Sequence, residues 1–178
     1  MVKALILCGG ADQDGVTQYM CMTASAILES KGYEVEQFIL SDMDVGHCTD
    51  CGECYTGECI IQDDMLRINS SFAESDLLIL ATPIHFSGPS SIIKTAIDRF
   101  QPYWQTKSEK HPSQCIAMMC GGSPNPNFEI TEKIFRAFSI TIGMEFKGSF
   151  TCPSTDNGTI PSFEEMQEFF EPITADMV

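Results

Sequence analysis

The sequence predicts an α/β protein built on a doubly wound, five-stranded parallel sheet with helices on both faces. Three observations carry that expectation. Short apolar runs alternate with segments of helical periodicity, the runs read as strands buried on both faces, and the connections between them are short. At 178 residues, 43% hydrophobic and 20% charged, the chain is long enough to close one core without staples. One domain over residues 1–178 is expected, with a cysteine-rich loop at 47–60.

The first strand is residues 2–8, an apolar run that meets Gly9-Gly10. Val16, Met20, Ala24, Ile27 and Leu28 then recur at helical spacing over residues 15–31, and Gly32 stands where a left-handed C-terminal cap belongs. Residues 34–40 resume strand character. Asp63 and Asp64 are placed to cap a helix with Met65, Ile68 and Phe72 inward, and residues 77–81 form the third strand. A helix starting at Ser90 or Ser91 runs through Ile93 and Ile97, and residues 115–120 form the fourth strand. Ile130, Ile134, Phe135 and Phe138 line a helix closed by Gly143, and residues 145–150 form the fifth strand. The last helix opens with a capping box, Ser162 with Glu165, presents Phe163, Met166, Phe169 and Phe170 inward, and is expected to stop near Pro172. Residues 101–112, with Tyr103 and Trp104, are read as an exposed loop; a cover for a bound ring or a subunit contact are the alternatives.

Charge narrows the function classes. The 25 acidic against 10 basic side chains leave a formal charge of −15, which repels a polyanion over most of the surface, so no nucleic-acid partner is expected. No apolar run reaches the roughly 18 residues of a membrane span, and the chain enters its first strand without a basic or cleavage-site segment. A cytoplasmic location without membrane attachment is expected. Five cysteines, Cys8, Cys21, Cys115, Cys120 and Cys152, stand singly, mostly in apolar segments, and read as small hydrophobes.

In a doubly wound sheet the ligand crevice lies beyond the carboxyl ends of the strands where the strand order switches. The loops after strands one, three and four are therefore the informative ones. The first, Gly9-Gly10-Ala11-Asp12-Gln13-Asp14-Gly15-Val16-Thr17-Gln18, offers backbone N–H groups, a helix N-terminus and the Thr17 hydroxyl to a phosphate; a plain strand-to-helix turn is the other reading. The second, Thr82-Pro83-Ile84-His85-Phe86-Ser87-Gly88, sets a rigid proline and an aromatic ring at a strand end, where a flat ring system has a surface to lie on. The third is Gly121-Gly122-Ser123-Pro124. No residue of these loops is assigned a catalytic role, His85 included.

The strongest local signal follows the second strand. Cys48, Cys51, Cys54 and Cys59 form a C-x2-C-x2-C-x4-C cluster, four thiolates within twelve residues. An iron–sulfur cluster, a 4Fe–4S cubane by the crowding, needs that number of thiolates in a tight loop. Zinc also accepts four thiolates, although its sites usually join two separated pairs. A metal-free loop is the third possibility, and His47 is a substitute ligand.

These features together resemble the iron–sulfur flavoproteins within the NADPH-dependent FMN reductase-like group of flavodoxin-fold proteins. The resemblance covers roughly residues 2–148: the cysteine cluster with residues 60–65 after it, Ala81-Thr82-Pro83-Ile84-His85-Phe86, Lys94 with Asp98-Arg99, and the Gly121-Gly122 loop. It implies a flavodoxin-like strand order of 2-1-3-4-5 and an FMN. The FMN phosphate would take Gly10, Ala11, Thr17 and Gln18; the ring would take Thr82, Pro83, Ile84, His85, Phe86 and Gly88, with Gly121, Gly122 and Ser123 approaching its far side. It implies metal ligation by Cys48, Cys51, Cys54 and Cys59, electron transfer between cluster and flavin, and a homodimer or homotetramer in which one subunit's cysteine loop nears another's flavin. NAD(P)H or a ferredoxin would be the redox donor.

The chain departs from that pattern in its first loop. Where relatives often carry a Ser-Pro-Arg-like stretch, it has Asp12 and Asp14, whose carboxylates repel a phosphate unless they turn to solvent. Two alternatives follow: an FMN-dependent NAD(P)H or quinone reductase without a cluster, or a zinc- or partner-binding module that has lost flavin.

Overall fold

In β1 (Lys3–Cys8) every residue from Ala4 onward is buried, as an unbroken apolar run requires of a strand covered on both faces. The central strands β3 (Leu77–His85) and β5 (Gln114–Cys120) share that character through Thr82 and over the whole strand respectively. The computed structural model describes residues 1–175. β2 (Glu34–Ile39) and β6 (Glu145–Cys152) flank the centre, and the parallel strands run β2-β1-β3-β5-β6. A sixth strand, β4 (Gly88–Pro89), pairs antiparallel with the end of β3.

Among the described residues the five-strand count is thus corrected to six, and the order 2-1-3-4-5 to 2-1-3-5-6 with β4 outside it. The cause is local. β3 does not stop at Ala81 but stays paired with β5 as far as Pro83, level with Cys120, and then folds back in a tight hairpin on Gly88 and Pro89.

Side chains alternate across the sheet as strand geometry demands. Ile6, Cys8, Ile79, Ile116 and Met118 face α1 (Val16–Ser30) and α6 (Phe163–Ala175), which contribute Met20, Ile27, Met166 and Phe170. Leu5, Leu7, Leu78, Leu80 and Met119 face the other way, toward Phe72 of α2 (Met65–Glu74), Ile93 of α3 (Ser91–Asp98) and Phe135 of α5 (Glu129–Ile142).

Caps set the helix starts. Ser90 Oγ accepts from the Ile93 N–H at the head of α3, and Ser162 and Glu165 exchange the two bonds of the capping box. α6 runs past Pro172, where a stop was expected; Pro172 is exposed, and Ile173 and Thr174 beyond it are buried, so packing carries the helix on. Phe163 and Ile130, placed inward by spacing, are 43% and 47% exposed.

The stretch read as an exposed loop holds a short helix, α4 (Gln101–Thr106). Tyr103 packs against Phe72 at 4.8 Å between ring centroids and donates its hydroxyl to the Asn69 carbonyl at 3.0 Å. Burial pushes its phenol up to about 12. α4 lies against the turn at Glu53–Thr56 inside the cysteine loop.

Candidate functional site

A chain of buried hydrogen bonds ties the first and second crevice loops to each other. The Gly9 N–H donates to Ala81 O at 2.8 Å, Ser90 Oγ to Gly9 O at 2.7 Å, and the Ser90 N–H to Thr82 Oγ1 at 2.9 Å. Thr82 in turn donates to Pro83 O at 2.9 Å. Gly9 has no room for a side chain: a Cβ there would stand 2.7 Å from Ile93 Cβ and 2.8 Å from Ser90 Oγ. Neither Gly9 nor Ser90 stood out as a site residue in the sequence, because their partners lie 72 and 81 positions away.

Above this scaffold lie two adjoining cavities of about 570 and 580 Å³. The first is lined by the loop from Gly9 to Thr17, the second by residues 83–87 and 120–123, and they share Pro83, His85, Cys120, Thr155 and Asp156. Gly10, Ala11, Thr17, Pro83, Ile84, His85, Phe86, Gly121, Gly122 and Ser123 therefore line one crevice. Thr82 and Gln18 are buried, and Gly88 closes the hairpin; these three lie outside the cavity walls.

The first cavity ends on the head of α1. That helix has no side-chain cap and no acidic residue in its first turn, so the partial positive charge of its N-terminus is not neutralised by its own first turn. Gln18, 6% exposed, has an Nε2 without a partner. An uncapped helix head at the end of the cavity fits a phosphate. Asp12 and Asp14 also line the cavity but are exposed, with Asp12 Oδ1 accepting the Asp14 N–H at 3.1 Å, so the repulsion foreseen from the sequence is screened by water.

A third carboxylate comes from a loop no motif marked. Thr155 N–H donates to Gly121 O and Asp156 N–H to Gly122 O, at 3.1 and 3.2 Å, laying that loop across the third crevice loop. The Asp156 carboxylate sits directly over Gly122 and fills the space a side chain there would need. The polar run Ser154-Thr155-Asp156 after the last strand was the available signal.

The hairpin after β3 is strained. Phe86 and Ser87 take φ of 51° and 65°, and Phe86 is fully exposed at its tip. A left-handed Phe costs about 1–2 kcal/mol, and Thr131 Oγ1, donating to Ser87 O at 3.2 Å, helps hold the turn.

The cysteine loop leaves β2 at the same end of the sheet. Gly52 and Gly57 supply left-handed turns at φ of 78° and 89°. Cys48, Cys54 and Cys59 are half-buried, Cys51 is exposed, and all four are free thiols. Among the described residues no three Cys, His, Asp or Glu side chains converge as metal ligands; His47 is exposed on the same loop. The thiols nevertheless sense one another. Burial first, then Cys59, Cys51, Cys48 and Asp50, raise the Cys54 pKa. Crowded thiolates repel, and a bound cationic centre relieves that repulsion, so the donor set fits iron or zinc in its chemistry.

Known proteins resemble this chain in sequence and in fold. An iron–sulfur flavoprotein of Archaeoglobus fulgidus is 31% identical over 142 residues, covering 78% of this chain and 64% of that protein. One from Methanocaldococcus jannaschii is 30% identical over 102 residues, 57% and 53% of the two chains. This chain spans roughly half to two thirds of the length of these relatives. Among solved structures, an NAD(P)H:quinone oxidoreductase from Methanothermobacter marburgensis superposes with a TM-score of 0.72 at 13% identity, over 99% of this chain and 94% of that one, a likeness of fold. The family model for NADPH-dependent FMN reductase matches residues 2–153, and the chain belongs to that family.

Proposed function

We propose that the protein is an FMN-dependent oxidoreductase in which electrons pass between a flavin in the crevice and a 4Fe–4S cluster held by Cys48, Cys51, Cys54 and Cys59. The observation that carries this is the double cavity at the strand ends, one half closing on the uncapped head of α1. Gly10, Ala11 and Thr17 present the phosphate-binding end, with Gln18 as the buried donor behind it. Pro83, Ile84, His85 and Phe86 form one wall for the ring, and Gly121, Gly122 and Ser123 the other. When bound, the flavin supplies two-electron and the cluster one-electron chemistry.

The protein's own task is to hold the crevice walls rigid, through Ser90, Thr82 and Gly9, and to limit water at Cys120 and Thr17, which are nearly buried. No side chain is required as acid or base. NAD(P)H or a ferredoxin would bring electrons, and a homodimer or homotetramer would set one subunit's cysteine loop near another's flavin. Anaerobic reconstitution with FMN, iron and sulfide tests the reading: flavin and cluster absorbance in one sample support it, and a protein that stays colourless overturns it.

One observation favours a second reading, an FMN-dependent NAD(P)H or quinone reductase without a cluster: the four thiols do not close on a point. NADPH-dependent quinone turnover that is unchanged in Cys51→Ser would establish it.

A further inference from the structure

The cysteine loop has two necks, Gly46 on the way in and residues 61–63 on the way out, and one side chain holds both. Arg99, at the C-terminal cap of α3, is 1% exposed. Its Nη1 donates to Gly46 O at 2.7 Å and to Asp63 Oδ2 at 2.6 Å. Its Nη2 donates to Asp63 Oδ1 at 3.0 Å and to Ile61 O at 3.4 Å. The Asp63 carboxylate also accepts from the Gly46 and Met65 N–H groups, at 2.9 and 3.0 Å. A fork-to-fork pair of this kind fixes both position and orientation.

Two facts exceed what a staple needs. Arg99 Nε is buried and has no partner in the protein, and leaving a buried charged donor unpaired is costly. The Ile61 carbonyl that Arg99 Nη2 holds stands two residues after Cys59, so the guanidinium is anchored where the chain leaves the four-cysteine motif. A spare donor and a fixed positive charge therefore stand at the exit of the four-cysteine motif.

We infer that Arg99 is the positioning residue of the cysteine site: it draws the two necks of the loop together and presents a fixed positive charge to an anionic centre ligated by Cys59. The charge half of this rests on the cluster reading above; the clamp half does not. Potentials of thiolate-held iron–sulfur centres follow net charge and hydrogen bonds to sulfur, so the two halves separate in a potential measurement.

The test is reconstitution of the full chain with iron and sulfide, followed by a redox titration, for the wild type, Arg99→Lys, Arg99→Gln and the double variant Arg99→Met with Asp63→Leu. The double variant replaces the pair with apolar groups and leaves no buried charge unpaired, so it keeps the test open if Arg99→Gln fails to fold. Arg99→Gln is expected to load at least about tenfold more weakly, the usual scale for a group behind metal ligands, and its residual centre to titrate at a lower potential. Arg99→Lys is expected to load weakly but regain the potential, which a purely structural role would not do. The double variant should unfold cooperatively and still fail to load. Wild-type loading and potential in either neutral variant overturn the inference. If the wild type itself takes up no iron and sulfide, the cluster reading falls with the charge half, and the clamp is read from amide exchange: about tenfold faster exchange confined to residues 47–60 in the double variant supports it, and unchanged exchange overturns it.

Discussion

The crevice and the cysteine loop both leave the carboxyl end of the sheet, the crevice from β1, β3 and β5 and the cysteine loop from β2, but they are secured differently. Crevice loops are continuations of buried strands. Gly9, Thr82 and Ser90 are bonded to one another, and the loop at Thr155 and Asp156 is bonded across Gly121 and Gly122. Removing one bond leaves the others. The cysteine loop has one short turn, at Glu53–Thr56, and both its necks converge on the Arg99–Asp63 pair. A cavity shaped by strand ends exists before any ligand arrives, whereas a loop held at its neck leaves its four thiols without a common point among the described residues.

The sharpest way to break that contrast is to cut the neck. Arg99→Gln or Asp63→Asn alone strands a buried charge and should cost about 3–5 kcal/mol in denaturant unfolding, while Arg99→Met with Asp63→Leu should cost less, because only neck backbone groups lose their partners. Equal losses in all three would mean that the cost lies in the bonds to the necks and not in a stranded charge. The same pair gives a pH signature. Burial raises the Asp63 pKa, but bonds from Arg99, Gly46 and Met65 outweigh it and leave it below the usual carboxylate value. The clamp's contribution is therefore full above about pH 4 and is lost as pH falls through the lowered folded value. Acid titration of wild type against Asp63→Asn should show that loss only in the wild type.

Next in size, Gly9→Ala drives a methyl into Ile93 Cβ and Ser90 Oγ and should cost about 1–3 kcal/mol, with FMN affinity lost alongside stability. Gly122→Ala meets a movable Asp156 side chain instead, so its effect should be smaller and confined to affinity. If the two variants behave alike, the crevice is less rigid than its bonding indicates.

Relief of the hairpin comes third. Phe86→Asn removes a large aromatic from a left-handed position and should raise stability by about 1 kcal/mol; an unchanged melting temperature would mean that no strain is held there. Smallest is Asp12→Asn, which removes one exposed charge from the cavity at the head of α1. FMN titration should tighten by a few-fold at low ionic strength, and the gain should fade by 1 M salt, where the screening length is about 3 Å.

Much of the fold was legible because it is written in short-range periodicity. The unbroken run through Leu5, Ile6 and Leu7 marks a strand buried on both faces, and the Ser162–Glu165 box marks a helix start wherever the segment packs. The motif of Cys48, Cys51, Cys54 and Cys59 is equally local. Two expectations failed where packing overrode local signals: the helix at Gln101–Thr106 forms because Tyr103 finds Phe72, and α6 passes Pro172 because Ile173 is buried beyond it. Arg99 was visible only as part of the Asp98-Arg99 pair that carries the resemblance, with no partner assigned to it.

By itself, then, the sequence determined the alternation of strands and helices, the end of the sheet where the glycine-rich loops gather, and the four thiols on one loop. Each of these depends on residues a few positions apart, whose spacing maps directly onto backbone geometry. Tertiary structure alone decided that Ser90 locks Gly9, that Asp156 covers Gly122, and that Arg99 closes the cysteine loop through Asp63, 36 residues before it. Those contacts exist because right-handed crossovers return distant segments to one end of the sheet, and no local spacing records which side chains will meet there.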